Sequence, residues 1–168
     1  MAQRHSQRKA TGKLLRAALR YLRKQDARVA KRARPDRMTP ERLRHMMEGE
    51  NRKGYHYRPG GSDFPDRRIT QVVRRNPTTK VYEAKVEFYK DPPGQWVPKV
   101  GQGRSTFFPD HWTPKQVDDA VTDAFNHAGA NNTRFPDGTW TGTSKEGVPI
   151  MGYYDLATGA LKHGFPYL

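Results

Sequence analysis

The chain has 168 residues, with 31 Lys+Arg against 17 Asp+Glu, and so a formal net charge of +14. It contains no cysteine, which excludes a disulfide scaffold, a thiolate zinc site and a cysteine nucleophile. It has no apolar run of about 18 residues, the length that a membrane-spanning helix needs.

The charge divides unevenly along the chain. Residues 1–44 hold 15 Lys/Arg and 3 Asp/Glu, a net of +12, whereas residues 45–168 hold 16 and 14, a net of +2. A basic arm therefore precedes a nearly neutral body large enough for one domain and its core. Met1 to Arg20 is basic and lacks an apolar signal core, so export by a cleaved signal peptide is not expected.

Residues 1–34 read as one basic helix, with Leu14, Leu15, Ala18, Leu19 and Leu22 at roughly helical spacing and Pro35 as its stop. The apolar stripe is narrow. Such an arm is either a solvated linker helix or a source of electrostatic affinity for nucleic acid or an anionic membrane. The segment TPERLRHMMEGE, 39–50, opens a second helix with Thr39 as N-cap, Pro40 in the first turn and Gly49 as the stop. Leu43, Met46 and Met47 share the face that should dock on the core, with His45 beside it. A glycine-rich loop, GYHYRPGG at 54–61, sets His56 between two tyrosines. Ile69 to Val73 is a short strand, and 80–90 (KVYEAKVEFYK) alternates, with Tyr82, Ala84, Val86 and Phe88 on the buried side. DPPG at 91–94 is a turn, and 99–112 reads as a loop. Thr113-Pro114 caps a third helix over 114–128, with Val117, Ala120, Val121, Ala124 and Ala128 on its apolar face and Gly129 at its end. Residues 147–155 and 160–166 form a closing hairpin. The fold class is α+β: N-terminal helices, then paired antiparallel sheets with a central helix.

Chemistry-bearing residues are few. His5 sits in the arm, His127 complements the end of the third helix, and His111 fills the turn before that helix. His45, His56 and His163 remain. His45 and His56 are 11 residues apart, one on a helix and one in a loop with glycines at 49, 54, 60 and 61 around it, so the pair can converge. Two imidazoles in different environments suit acid–base phosphoryl chemistry, but their spacing equally fits two unrelated histidines. Phosphate-binding glycine loops, HExxH and the nucleophile elbow are absent, and no carboxylate cluster supports a metal ion. Tyr55, Tyr57, Phe107, Phe108, Trp112, Trp140, Tyr153, Tyr154, Phe165 and Tyr167 gather around these loops, where exposed rings would stack single-stranded bases. Phe107, Phe108 and Trp140 belong first to the core.

Four stretches then carry a family likeness: RHMMEGENRKGYHY at 44–57, STFFPDHWTPKQV at 105–117, GTSKEGVPIMGYYD at 142–155 and LKHGFP at 161–166. In this order, over about residues 39–168, the body resembles the bacterial branch of the EndoU endoribonucleases, C-terminal toxin modules of contact-dependent and other polymorphic toxins. The resemblance divides the chain into a basic arm or linker, 1–38, and a nuclease domain, 39–168. It implies a metal-independent endoribonuclease without cofactors, cutting single-stranded RNA such as transfer RNA loops to 2′,3′-cyclic phosphate and 5′-OH ends. Carried over residue by residue, His45 and His56 are the catalytic histidines, Lys99 the lysine with Arg104 as its rival, and Thr143 the polar residue entering the late strand. Ser105, Arg104, Tyr153, His163 and Tyr167 are the expected substrate contacts. The ending departs from the common pattern, because His163 and Phe165 stand where a small hydroxyl residue and often a tyrosine occur, so the base preference expected here differs from the family's preference for uridine.

The same resemblance implies an RNA partner, a small acidic immunity protein, and action in the cytoplasm of a target bacterium after specialised export; the chain is expected to be a monomer, and its composition gives no membrane span. The alternative from composition alone is a non-enzymatic basic RNA-binding protein, and a third reading is a structural or phage protein whose arm packs nucleic acid. In the nuclease reading the arm lies outside the matching stretch and should be dispensable for chemistry.

Overall fold

The computed structural model describes the backbone of residues 2–28 and 34–168, and the side chains of 12–25 and 34–168. In chain order the described helices and strands are α1 (Ala2–Arg28), α2 (Pro40–Met47), β1 (Arg67–Arg75), β2 (Tyr82–Lys90), β3 (Gln95–Pro98), β4 (Arg104–Phe107), α3 (Pro114–Ala130), β5 (Thr139–Thr143), β6 (Pro149–Tyr154) and β7 (Leu161–Pro166). A single 3₁₀ turn, Pro59–Gly61, lies between α2 and β1. The architecture is the expected α+β, built on two antiparallel sheets.

In the first sheet β2 is central. It pairs with β1 along one edge, and on the other edge with β3 and then β4, end to end. The alternation read from the sequence holds: Tyr82, Ala84, Val86 and Phe88 are buried. Glu83 points to the opposite face, yet it too is buried, because Arg74 and Arg104 close over its carboxylate at 2.9 and 3.0 Å. The second sheet runs β5-β6-β7. Helix α3 packs across it closely enough that a Cβ on Gly164 would sit 2.6 Å from Val121 Cγ1, so only glycine fits there.

Both short helices begin as the caps predict. Thr39 accepts from the Arg42 amide, and Thr113 forms a reciprocal capping box with Gln116. Helix α3 runs through Gly129 to Ala130 instead of stopping at the glycine. The expected loop 99–112 contains a strand, β4, and β5 had no counterpart in the sequence reading. Tyr55 and Tyr57 are fully buried beside Phe107 and Phe108, so they are core residues and not a stacking surface.

The arm is not wholly detached. Ala18 and Leu22 of α1 enter the core, with Leu15, Leu19 and Tyr21 packed against it. The Tyr21 hydroxyl donates to Asp118 Oδ2 at 2.5 Å, and Arg37 meets the same carboxylate at 2.9 Å. The expected continuation of the helix to residue 34 falls on 29–33, outside the described residues. Among the described residues no helix is long and apolar enough to cross a membrane.

Candidate active site

The turn after α2 builds the first half of the site. Gly49 and Tyr55 both donate their amides to the His45 carbonyl, at 3.0 and 3.4 Å, and the His56 amide donates to Met46 O at 2.8 Å. The loop therefore folds back onto the end of α2 and brings His56 beside His45. Gly54 makes this possible: its φ is +70°, and a Cβ there would collide with the His45 carbonyl oxygen. Tyr55 adopts φ +66° without being glycine, a conformation that costs about 1–3 kcal/mol. Its ring is locked edge-on against Phe64, Phe88 and Phe107, and its hydroxyl donates to Asp63, so packing holds the strained residue that precedes His56.

The second half comes from the two sheets. The amide of Phe108, just past β4, donates to the His56 carbonyl at 2.9 Å. Strand β7 places His163 and Phe165 on one face, two residues apart. The ring centroid of His163 lies 5.6 Å from that of His45 and 5.5 Å from that of His56, and Phe165 stacks on His56 at 5.1 Å. Arg42 of α2 donates to Leu161 O at 2.9 Å, and the Trp140 indole donates to His163 O at 3.1 Å, so β7 is held on both sides.

These rings line a cavity of about 1120 Å³, whose wall includes six Lys/Arg and three Glu, a lining suited to an anionic ligand. Of the residues singled out from sequence, the fold brings together His45, His56, Lys99, Arg104, Ser105, Tyr153 and His163. Thr143 and Tyr167 are not among the lining residues. Thr143 is exposed at the end of β5, where its amide donates to His127 Nδ1 at 3.2 Å, and the Tyr167 amide donates to Pro149 O at 3.1 Å. Phe165, noted in the sequence only among the aromatics and as a departure at the closing strand, also lines the cavity, and its two-residue offset from His163 in a strand is the signal that places it there.

The electrostatics distinguish the members. His56 is buried, and its Nδ1 sits 2.7 Å from the Thr106 carbonyl and 3.1 Å from Ser105 Oγ. A carbonyl only accepts, so Nδ1 carries the hydrogen and Nε2 of the neutral ring is a free acceptor. Ser105 gives its own proton to Tyr55 O at 2.7 Å, so its hydroxyl orients His56. Burial, then the neighbouring His163 and Lys99, push the His56 pKa well below 6.5, against the Thr106 bond that raises it. Burial, then His45 and Lys99, bring His163 to about 4. Half-buried His45 is also lowered, first by burial.

Lys99 and Arg104 separate on the same grounds. Lys99 follows β3, where its amide donates to Val86 O at 2.9 Å, and its charge reaches all three histidines. The Arg104 guanidinium is engaged by Glu83 at 3.0 Å. Two buried polar atoms on cavity residues, His163 Nδ1 and Thr106 Oγ1, have no hydrogen-bond partner among the described residues. Among the described residues no group of three or more His, Asp or Glu is arranged to hold a metal ion.

Residues 39–168 match the profile of the bacterial EndoU nucleases. A protein of Bacillus cereus (strain ATCC 14579) named "Toxin" is 30% identical in an alignment of 137 positions that covers 78% of this chain. The chain spans only 23% of that relative's length. With the profile covering the whole segment that carries the three histidines and the lysine, the chain belongs to the bacterial EndoU nuclease family.

Proposed function

We propose that the chain is a metal-independent endoribonuclease toxin that cleaves single-stranded RNA by transphosphorylation. The observation that carries this reading is the 2.7 Å contact of His56 Nδ1 with Thr106 O, which assigns the tautomer of the ring. With Nδ1–H committed to Thr106, Nε2 is an unprotonated base at neutral pH, held beside a second histidine on a different element.

In the proposed reaction His56 Nε2 takes the proton of a ribose 2′-OH, and the 2′-oxygen attacks the adjacent phosphorus. His45 gives a proton to the departing 5′-oxygen, leaving a 2′,3′-cyclic phosphate and a 5′-OH. The nucleophile is part of the substrate and already near the phosphorus, so positioning supplies much of the rate. Binding of the anionic phosphodiester favours the imidazolium form of His45, which burial alone disfavours. Lys99 neutralises charge growing on the non-bridging oxygens. Neutral His163, with Nδ1 unpaired, contacts the phosphate or base, and Tyr153 at the rim offers a ring for stacking; Thr143 and Tyr167 receive no role.

The relative's name supports a toxic role. The proposed substrate is RNA of a target cell, with transfer RNA loops the first to test. A toxin of this kind requires an immunity protein in the producing cell, and an acidic one would complement the cavity. We take the molecule as a monomer whose arm, 1–38, precedes a nuclease domain, 39–168. Incubation with total RNA and with single-stranded DNA, both in excess chelator, tests the reading. RNA should be cut and DNA left whole, since deoxyribose has no 2′-OH; RNA bound but never cut would make the protein a binding module.

A further inference from the structure

The outer face of the first sheet is unusually ordered for a solvated surface. Two bulges in β1, between Ile69 and Gln71 and between Val72 and Arg74, let residues three apart on β1 oppose residues two apart on β2. Arg68, Gln71 and Arg74 thereby face Glu87, Lys85 and Glu83, and cross-strand partners share a face. On the other edge Arg104 opposes Lys85, and Trp96 opposes Tyr89. Glu83, Arg74 and Arg104, at one end of this row, also line the histidine cavity.

At the far end lies an exposed aromatic group. Trp96 and Tyr89 are 36% and 38% exposed, and their rings meet edge-on at 5.5 Å. The Arg68 guanidinium stacks 4.1 Å over the Trp96 ring and is held by Glu87 at 3.0 Å. Both glutamates of the row are thus neutralised by arginine, while Lys85 has no ion pair among the described residues. The face is left cationic, with planar groups at its end.

We propose that this face is a docking track for single-stranded RNA, leading from the histidine cavity to a base-stacking platform at Trp96 and Arg68. Its direction rests on the nuclease reading, which puts the cleaved phosphate in the cavity. From Glu83 to Tyr89 the strand advances about 20 Å, enough for a few unstacked nucleotides. Lys85 and Arg104 meet phosphates along the way, and a base stacks on the Arg68–Trp96 layer, which suits any sequence because every base has a π-face. Continuity with the cavity and the sign of the charge favour nucleic acid over a protein occupant.

The test uses the full chain and 2′-O-methylated RNA, which cannot transphosphorylate. Trp96→Ala should weaken binding of a single-stranded decamer about ten-fold, leave a dinucleotide unaffected, and be rescued largely by Trp96→Phe. Arg68→Ala should weaken the decamer in the same direction. Equal decamer affinity for wild type and Trp96→Ala, or equal loss for decamer and dinucleotide, would overturn the proposal; an acidic protein that binds wild type but not Trp96→Ala, without any decamer effect, would assign the face to that protein instead. A wild type that binds the decamer through Trp96 but cuts no RNA would leave the track standing and remove the nuclease reading.

Discussion

His56 Nδ1 lies 2.7 Å from the carbonyl oxygen of Thr106, and this one hydrogen bond decides which nitrogen can act as a base. Thr106 belongs to β4, which pairs with β2, so the tautomer is set by the first sheet while the ring is delivered by the loop after α2. Replacing His56 with alanine should lower cleavage by about 10²–10⁴-fold, and His45→Ala by a similar factor, without loss of fold. Circular dichroism and steady-state kinetics on the purified variants check this. A His56→Ala protein within a few-fold of wild type would remove the assignment.

The pH dependence follows from the directions of the shifts. In the proposed reaction His56, as the base, must be unprotonated, and its pKa is well below 6.5, so the acidic limb of kcat/KM should lie well below that pH. His45, as the proposed acid, must be protonated, and its free-enzyme pKa is also lowered from 6.5. The profile of kcat/KM should therefore peak on the acid side of 6.5 and fall toward alkaline pH. His163→Thr removes a ring whose protonated form, present only at acid pH, opposes protonation of His56, so the acidic limb should move up; an unmoved limb would show that His163 does not act on His56.

Stability should depend on pH through the same rings. His163 titrates at about 4 in the folded chain against 6.5 unfolded, so the unfolded state binds more protons between those values. Stability is then present above 6.5 and lost as pH falls toward 4. His163→Thr should flatten the fall of Tm over that window, as read by calorimetry; an unchanged slope would place the acid sensitivity elsewhere.

Much of the fold was legible because its signals are local. The Thr-Pro starts of α2 and α3 and the alternation of β2 each declare themselves within a few residues. Strand β4 is only four residues after a glycine-rich turn, too short to show a period, and β5 (TWTGT) is buried by one tryptophan and one glycine facing α3. The histidines were ambiguous by spacing, since their meeting depends on backbone bonds from Gly49 and Tyr55 to His45 O. Thr143 was placed by likeness at a strand entrance, whereas β7 supplies the polar side chain that lines the cavity, His163.

The two cations should differ in kind. Lys99 reaches the histidines and Arg104 is tied to Glu83, so Lys99→Ala should cost about 10²–10³ in kcat. Arg104→Ala should act chiefly on KM and on its salt dependence. The opposite split would make Arg104 the catalytic cation.

The arm matters for stability even where it is outside the chemistry. Leu22 is fully buried, so Leu22→Ala should cost roughly 2–5 kcal/mol, a Tm fall visible by thermal denaturation. Deleting residues 1–34 also removes Tyr21 from Asp118, so the truncated chain should cut RNA at low temperature but melt earlier than wild type. Unchanged melting would mean that the docking of α1 contributes nothing.

The central claim is transphosphorylation by a histidine pair, and the masses of the cut ends test it most directly. A single-stranded RNA oligonucleotide digested in excess chelator should give 2′,3′-cyclic phosphate on one fragment and 5′-OH on the other. Fragments with 3′-OH and 5′-phosphate ends would contradict it.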